Sequence, residues 1–498
     1  MTRAIKPQSL KYRTSQLLSG LLLIIMLSAN ISAAADLTFT PCNIAGSGGN
    51  GNLQAQCAQW QQPVNRANPT GPTINLFVAK LPSTAIDPAK DAFTLINGGP
   101  GGSSIDLLVD LAPIVQMFTR ERDVIVIDQR GTGRSAPLTC DGLTEAASST
   151  SPDEIVKTTK NCLDRLSYDP RFFTSTAAVA DLEALRETLG YQQLDIYGIS
   201  YGTRVAMQYQ RRHPDRSRSI ILDGVVPPTI ALGSNVSTNS QSVLNKVFNR
   251  CKDDSACTQA FPDLEADFLR VSNNLKQQPI AMPLQHPVTG LHTDFELTYE
   301  HFALWLRLAL YVPETTALIP VMIHQAANQA NFTPIAANAL RMLDQLAQSI
   351  NYGMHNSVIC TEDVPYFDDN QEDFAALSKT YLGREMYDTL KAMCSVWPEG
   401  VISQDIKSPL ISQVPTLVLS GAYDPITPPA YGDIVMANLS NAKHIIGSGQ
   451  GHGIFTRGCI PNLVLEFVEA ADVDVLDDSC TKHLSSYPFF VDIMGPSP

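Results

Sequence analysis

Seven short apolar runs, most of them closing on Gly, Asn or Asp, restrict this chain more than any other feature. They are TINLFVAKL (73–81), AFTLING (92–98), DVIVIDQR (123–130), QLDIYGIS (193–200), RSIILDGV (218–225), VPTLVLSG (414–421) and AKHIIGSG (442–449). Continuous Val, Ile and Leu of this length predict strands covered on both faces, as in a parallel sheet. Helical patterns separate several of them. STAAVADLEALRETLG (175–190) opens on a Ser/Thr start signal and stops at Gly190. Strand and helix in alternation predict an α/β fold, a mostly parallel sheet flanked by helices.

The alternation breaks after LDGVVPP (222–228) and resumes at VPTLVLSG. Between Thr229 and Lys407 the patterns are mainly helical, among them QSVLNKVFNRC, LEADFLRVSNNL, HFALWLRLALYV and AANALRMLDQLAQSI. A helical block between strands of one sheet predicts an inserted cap over one sheet edge. The core is then expected in two parts, 36–228 and 408–498, with the cap over 229–407. Residues 36–72, rich in Gly, Asn, Gln and Pro, predict an irregular segment held by Cys42 and Cys57. No internal repeat or low-complexity linker interrupts the chain.

Residues 1–35 stand outside the fold. Arg3, Lys6, Lys11 and Arg13 precede the apolar LLSGLLLIIMLSA, and ISAAADL offers small residues for cleavage after Ala35. That is the pattern of a secretory signal peptide; the apolar run is short for a membrane span of about 20 residues. Export to a periplasmic or extracellular space is expected, with no membrane attachment after cleavage. The ten cysteines all follow the leader and fall as five pairs of sequence neighbours. In an oxidising compartment they read as five disulfides, with the connectivity open. A metal site is not expected, since C-x-x-C spacing and suitable histidine partners are missing. Four of the 35 Lys and Arg residues and none of the 49 acidic ones lie in the leader, so the remainder carries −18. A surface this acidic repels nucleic acid and anionic membranes.

The chemistry starts at DIYGISYGTRVAM (195–207), where Gly198 and Gly202 bracket Ser200 in a G-x-S-x-G pattern between a strand and a helix. Small residues two before and two after the serine permit a strained turn that lifts its hydroxyl out of the sheet. A serine needs a base to take its proton and an acid to orient that base. Of nine histidines, most lie in helical patterns, polar loops or a strand. His452 differs: GSGQGHGIF follows the last strand and leaves the imidazole in a glycine-flanked loop. Two aspartates close strands, Asp223 and Asp424. Both positions can supply the acid. Asp424, in VLSGAYDPITPP, has the longer loop and precedes His452 by one helix-plus-strand unit, so it is the expected partner and Asp223 a turn residue. A second glycine-rich turn, INGGPGGSS (96–104), follows the strand AFTLI. Its glycines admit close approach to a ligand, and the expected oxyanion donors are the amides of Gly99 and Tyr201.

Four stretches together resemble the prolyl iminopeptidase and tripeptidyl aminopeptidase family of α/β-hydrolases: NGGPGG (97–102), DVIVIDQRGTGRS (123–135), GISYGTR (198–204) and the Asp424/His452 pair. The resemblance spans most of the chain after the leader, and residues 405–483 resemble the tripeptidyl-aminopeptidase type of C-terminal region in particular. The order Ser, Asp, His is the order of that fold. The resemblance implies a serine exopeptidase acting on peptides with a free amino terminus beneath a helical cap, with pocket carboxylates holding the substrate ammonium. Glu362, in NSVICTEDVPY beside Asp363, best matches that carboxylate. Asn97 departs from the family, where prolyl iminopeptidases open this loop with histidine, and this weakens an inference of proline selectivity. DQRGTGRS is expected to shape the loops around the site.

The expected activity is therefore that of an exported serine aminopeptidase of prolyl or tripeptidyl type. A carboxylesterase is the alternative, because the same triad cleaves esters. A catalytically inert binding protein is disfavoured by the full set of serine, acid, base and oxyanion loop. No cofactor or metal is expected: the sequence has neither H-E-x-x-H nor a Walker A pattern.

Overall fold

All seven runs form strands of one nine-stranded sheet in the computed structural model, which describes residues 1–4, 37–46, 51–140, 142–143, 151–370 and 372–496. The leader lies almost wholly outside the described residues, and Met1–Leu37 separate as a unit of their own. The strands are β1 (Thr40–Ala45), β2 (Asn52–Pro63), β3 (Thr73–Leu81), β4 (Ala92–Ile96), β5 (Asp123–Ile127), β6 (Leu194–Ile199) and β7 (Ser217–Asp223). A hairpin, β8 (Ile280–Gln285) and β9 (His292–Leu297), stands apart, and β10 (Thr416–Gly421) and β11 (Ala442–Gly447) complete the sheet. The order is β1-β2-β3-β5-β4-β6-β7-β10-β11. From β5 to β11 every pairing is parallel, whereas β1, β2 and β3 join antiparallel at one edge.

The reason for the continuous runs is visible in their burial. Every residue of β4 and of β10 is buried, because helices cover both faces of the sheet there. The helices that place the site are α1 (Ser104–Asp110) after β4, α2 (Ser175–Leu189) before β6 and α3 (Tyr201–Arg212) after it. Helix α2 begins where expected, with Thr174 Oγ1 accepting from Ala177 N, and ends at Gly190, whose φ of 78° places it in the left-handed region.

Residues 224–415 run between β7 and β10, which are neighbours in the sheet. Three helices of this insertion matter below: α4 (Tyr299–Ala309), α5 (Tyr352–Glu362) and α6 (Glu385–Cys394). The insertion buries a core of its own, including Leu244, Phe248, Phe268, Phe302 and Trp305. The five disulfides join sequence neighbours: Cys42–Cys57, Cys140–Cys162, Cys251–Cys257, Cys360–Cys394 and Cys459–Cys480. Among the described residues no helix is long and apolar enough to cross a membrane, and no cluster of His, Cys, Asp and Glu is arranged to hold a metal.

Two expectations need correction. The segment 36–72 is not irregular: β1 and β2 pair antiparallel, with Cys42 and Cys57 bonded across them. Its glutamines alternate with buried Leu53, Cys57 and Trp60, so β2, paired between β1 and β3, buries one face only, and its polar face masked the period. The insertion is mainly helical, but it also carries the β8–β9 hairpin, which the helical reading of 229–407 left out. Within that hairpin only Leu284 and Leu297 are fully buried, which leaves little apolar signal.

Candidate active site

At the end of β6 the backbone turns sharply into α3, and Ser200 occupies the turn with φ 56° and ψ −125°. A non-glycine residue at positive φ is strained, and the surroundings hold it there. Ser200 N donates to Asp223 O at 2.9 Å, and Thr203 N donates back to Ser200 O at 3.0 Å. The flanking glycines are dictated by contact. A Cβ on Gly198 would lie 2.6 Å from Gly202 O, and one on Gly202 would collide with the Ile96 carbonyl. The turn can therefore close only if both positions lack a side chain.

His452 reaches the same place from beyond β11. Its Nδ1 lies 2.8 Å from Asp424 Oδ2 and 3.1 Å from Thr427 Oγ1. Asp424 is itself fixed: Oδ1 accepts from the amides of Ile426 and Thr427 at 2.9 and 2.8 Å, and Thr427 Oγ1 donates to Oδ2 at 2.7 Å. Burial pushes the imidazole pKa down, but the Asp424 charge and hydrogen bond, with a smaller push from the Asp223 charge, outweigh it, and the net is above the ordinary 6.5. Asp223 lies on the other side of the histidine loop. It takes no part in the Nδ1 bond; its carboxylate accepts from the amides of Ile454 and Phe455 and from Tyr197 Oη, all within 3.0 Å. It thus anchors the chain just past His452.

A third element fixes the loop from above. His452 N donates to Tyr311 O at 2.7 Å, and the Tyr311 ring stands edge-on to the imidazole with centroids 5.2 Å apart. A side chain on Gly451 would collide with that carbonyl, which accounts for the glycine before the histidine.

The glycine-rich loop after β4 sits beside Ser200: a Cβ on Gly98 would come within 2.8 Å of the serine Cβ. Asn97 pins the loop, its Oδ1 accepting from Gly98 N at 2.7 Å and its Nδ2 donating to Ser103 O at 2.8 Å. Gly99 has φ 115°, open to glycine alone. Tyr201 is the first residue of α3, so its N–H is among those with no acceptor inside the helix. DQRGTGRS braces the loop as expected. Asp128 Oδ1 accepts from Ser103 Oγ and Ile105 N, and Oδ2 from Arg134 N, while burial pushes its carboxyl up to about 6.

Asn97, Gly98, Gly99, Ser200 and His452 line one cavity of about 500 Å³, closed over by the insertion. No hydrogen bond joins Ser200 to His452 in this unliganded structure, and such bonds commonly tighten only with substrate in place. Helix α4 lays one face along the cavity, with Glu300, Ala303, Leu304, Arg307, Leu308 and then Tyr311 all exposed to it. Glu385 and His355 enter from α6 and α5. Partial burial, then the charge of Glu300, push the Glu385 carboxyl up against the pull of Lys276. Burial lowers the pKa of His355, which favours its neutral form.

Glu362 is not among the cavity residues, contrary to expectation. It is fully buried at the end of α5, with Oε1 accepting from Ser175 N at 2.8 Å and Oε2 from Ser175 Oγ at 2.7 Å. Tyr201 Oη bonds the same Ser175 hydroxyl at 2.8 Å. Burial pushes the Glu362 carboxyl up to about 6 despite nearby Arg204. Asp363 is likewise committed, paired with Arg204 and Lys407 at 2.8 Å each. Glu362→Ala is therefore expected to cost about 1–3 kcal/mol of stability by stranding the Ser175 N–H. Urea unfolding measures that loss, and KM for free-amine peptides should not move.

Sequence reasoning missed Thr427, Glu300, Arg307, His355 and Glu385. For Glu300 and Arg307 a signal exists. They are charges seven residues apart on one stripe of α4, two turns along the same face.

A family profile described as alpha/beta hydrolase fold matches residues 91–295, and one described as TAP-like protein matches 379–480. The chain is similar to serine protease Hip1 of Mycobacterium tuberculosis, 24% identical over 454 residues that cover 83% of this chain and 85% of the relative. It is similar to tripeptidyl aminopeptidase of Streptomyces lividans, 26% identical over 201 residues, 35% of this chain and 36% of the other. A carboxylesterase B of M. tuberculosis is 26% identical over 196 residues, 36% of this chain and 37% of that one.

Proposed function

The chain belongs to the α/β-hydrolase family and carries a TAP-like C-terminal region, and on that premise we propose that it is an exported serine exopeptidase that releases short peptides from free amino termini. Ser200 is the nucleophile, His452 the base and Asp424 its orienting acid. His452 Nε2 takes the serine proton as Oγ attacks the scissile carbonyl, and then delivers it to the leaving amine. The oxyanion rests on the amides of Gly99 and Tyr201, each worth about 3 kcal/mol in the transition state. Water then cleaves the acyl-enzyme by the same route.

The observation that carries the exopeptidase reading is the charge layout along α4. Tyr311, beside His452, stands at one end of the cavity face and Glu300, with Glu385 beside it, at the other. A pair of carboxylates in a mostly apolar cavity suits a substrate ammonium. At about 1.5 Å per helical residue, Glu300 lies about 12 Å along the axis from Leu308, whose carbonyl accepts from Tyr311 N just past the helix end. An extended peptide spans about 3.3–3.6 Å per residue, so the layout suits release of about three residues rather than one. The leader and the five disulfides support export.

The test is a panel of mono-, di- and tripeptidyl reporters, each with free and acetylated amino termini, alongside simple esters. Tripeptides with a free amine should be cleaved fastest. Glu300→Gln and Glu385→Gln should raise KM for them about tenfold or more, with kcat less affected. Equal rates on acetylated peptides would reject the exopeptidase reading, and turnover of esters alone would make the enzyme a carboxylesterase.

A further inference from the structure

Among the described residues Arg307 is a cation without a hydrogen-bonded or ion-pair partner. The deeply buried arginines among them are all matched, Arg122 with Asp91 and Asp195, Arg130 with Asp181, Arg186 with Glu183 and Arg204 with Asp363, and half-buried Arg250, without an ion pair, is stacked on the rings of Tyr423 and Phe489. Arg307, half-buried in the cavity wall, makes no hydrogen bond and no ion pair. Glu300 is on the same face of α4 but two turns away, about 10.5 Å along the axis. Glu385 responds to Glu300 and Lys276, with Arg307 absent among the charges acting on it. The Arg307 charge acts on the phenols of Tyr311 and Tyr381, where it offsets part of the upward push of burial. An uncompensated guanidinium among Leu304, Leu308 and Leu382 is costly to keep dry. Its planar fork suits a carboxylate.

We infer that Arg307 is a specificity-determining residue, which takes the carboxylate of an acidic side chain in the part of the peptide that acylates Ser200. This rests on the proposed peptidase reading. The position follows from α4: Tyr311, which packs on His452, lies one turn beyond Arg307, and Glu300 lies two turns before it. With the ammonium at the Glu300 end, Arg307 meets the residue that supplies the scissile carbonyl or the one before it. The cavity thus carries charges opposite to those of its substrate at each end: carboxylates for the ammonium, a guanidinium for an Asp or Glu side chain. The substrate class is short acidic peptides with a free amino terminus.

The experiment compares free-amine tripeptidyl reporters with Glu, Gln or Leu at the second or third residue, using the wild type, Arg307→Gln and Arg307→Lys, with the thermal midpoint of each. The wild type should favour Glu over Gln at one of these positions by about tenfold or more in kcat/KM. Arg307→Gln should abolish the preference by slowing the Glu peptide while the Gln peptide stays within about threefold, and Arg307→Lys should restore part of it. No preference in the wild type overturns the inference, as does an equal loss on Glu and Gln peptides in a folded Arg307→Gln. A preference confined to a free carboxylate on the leaving side overturns it too. The acetylated series separates the two readings. Acid preference that persists on blocked peptides sinks the free-terminus requirement and leaves Arg307 its role, whereas free-amine cleavage indifferent to acid does the reverse.

Discussion

Ser200→Ala should lower kcat on a free-amine tripeptide reporter by about five orders of magnitude or more, with the fold intact. The size of the effect follows from the mechanism: without Oγ there is no acyl-enzyme, and what remains is water attacking a bound peptide beside the oxyanion donors. The intact fold follows from the structure. The hydroxyl makes no hydrogen bond among the described residues, and the main-chain bonds to Asp223 and Thr203 that hold the turn survive the change. Single-turnover kinetics beside a thermal melt check both halves. A loss of less than about a hundredfold in a folded protein would assign the nucleophile elsewhere.

The second large effect is expected from Asp424→Asn, which should reduce kcat by about 10⁴-fold and shift the pH profile. The sign is set by the balance at His452. Burial lowers the imidazole pKa, and the Asp424 charge raises it beyond 6.5. Only the neutral imidazole can accept the serine proton, so wild-type kcat/KM should rise with pH along an acid limb centred above 6.5. Removing the charge leaves burial dominant, and the limb should move below that value. Asparagine also presents an N–H toward Nδ1 and favours the wrong tautomer, which is why the rate falls as well as shifting. An acid limb that stays in place would mean that Asp223, not Asp424, governs the base.

How far the sequence led depends on how local each determinant is. The parallel strands were legible because a strand covered on both faces must be apolar throughout. Ser200, Asp424 and His452 were legible because each closes or follows a strand in a loop whose glycines and prolines are written beside it. Strand β2 was not legible, since half its residues face water. Glu362 misled for a related reason: two acids after a cysteine look available, and only the packing of α5 against Ser175 reveals that both are engaged. Glu300, Arg307 and Glu385 come to line one cavity only through the packing of two helices, with Glu385 lying 78 positions after Arg307 and 85 after Glu300 in the chain. No local pattern records such a meeting. The one trace is the pair of charges that interrupts an otherwise apolar helix face.

The clasp between Tyr311 and His452 has a consequence for how such an enzyme can be altered. Under the proposed mechanism, the insertion is tied to the base by one main-chain carbonyl, so that it serves the chemistry as well as walling the cavity. An insertion swung aside far enough to free the site would carry the hold on the imidazole with it, so an open enzyme is an idle one. For the same reason the insertion is no interchangeable cassette. A graft from a relative would have to bring a carbonyl to the same point above Gly451, or the borrowed pocket would arrive without a working base.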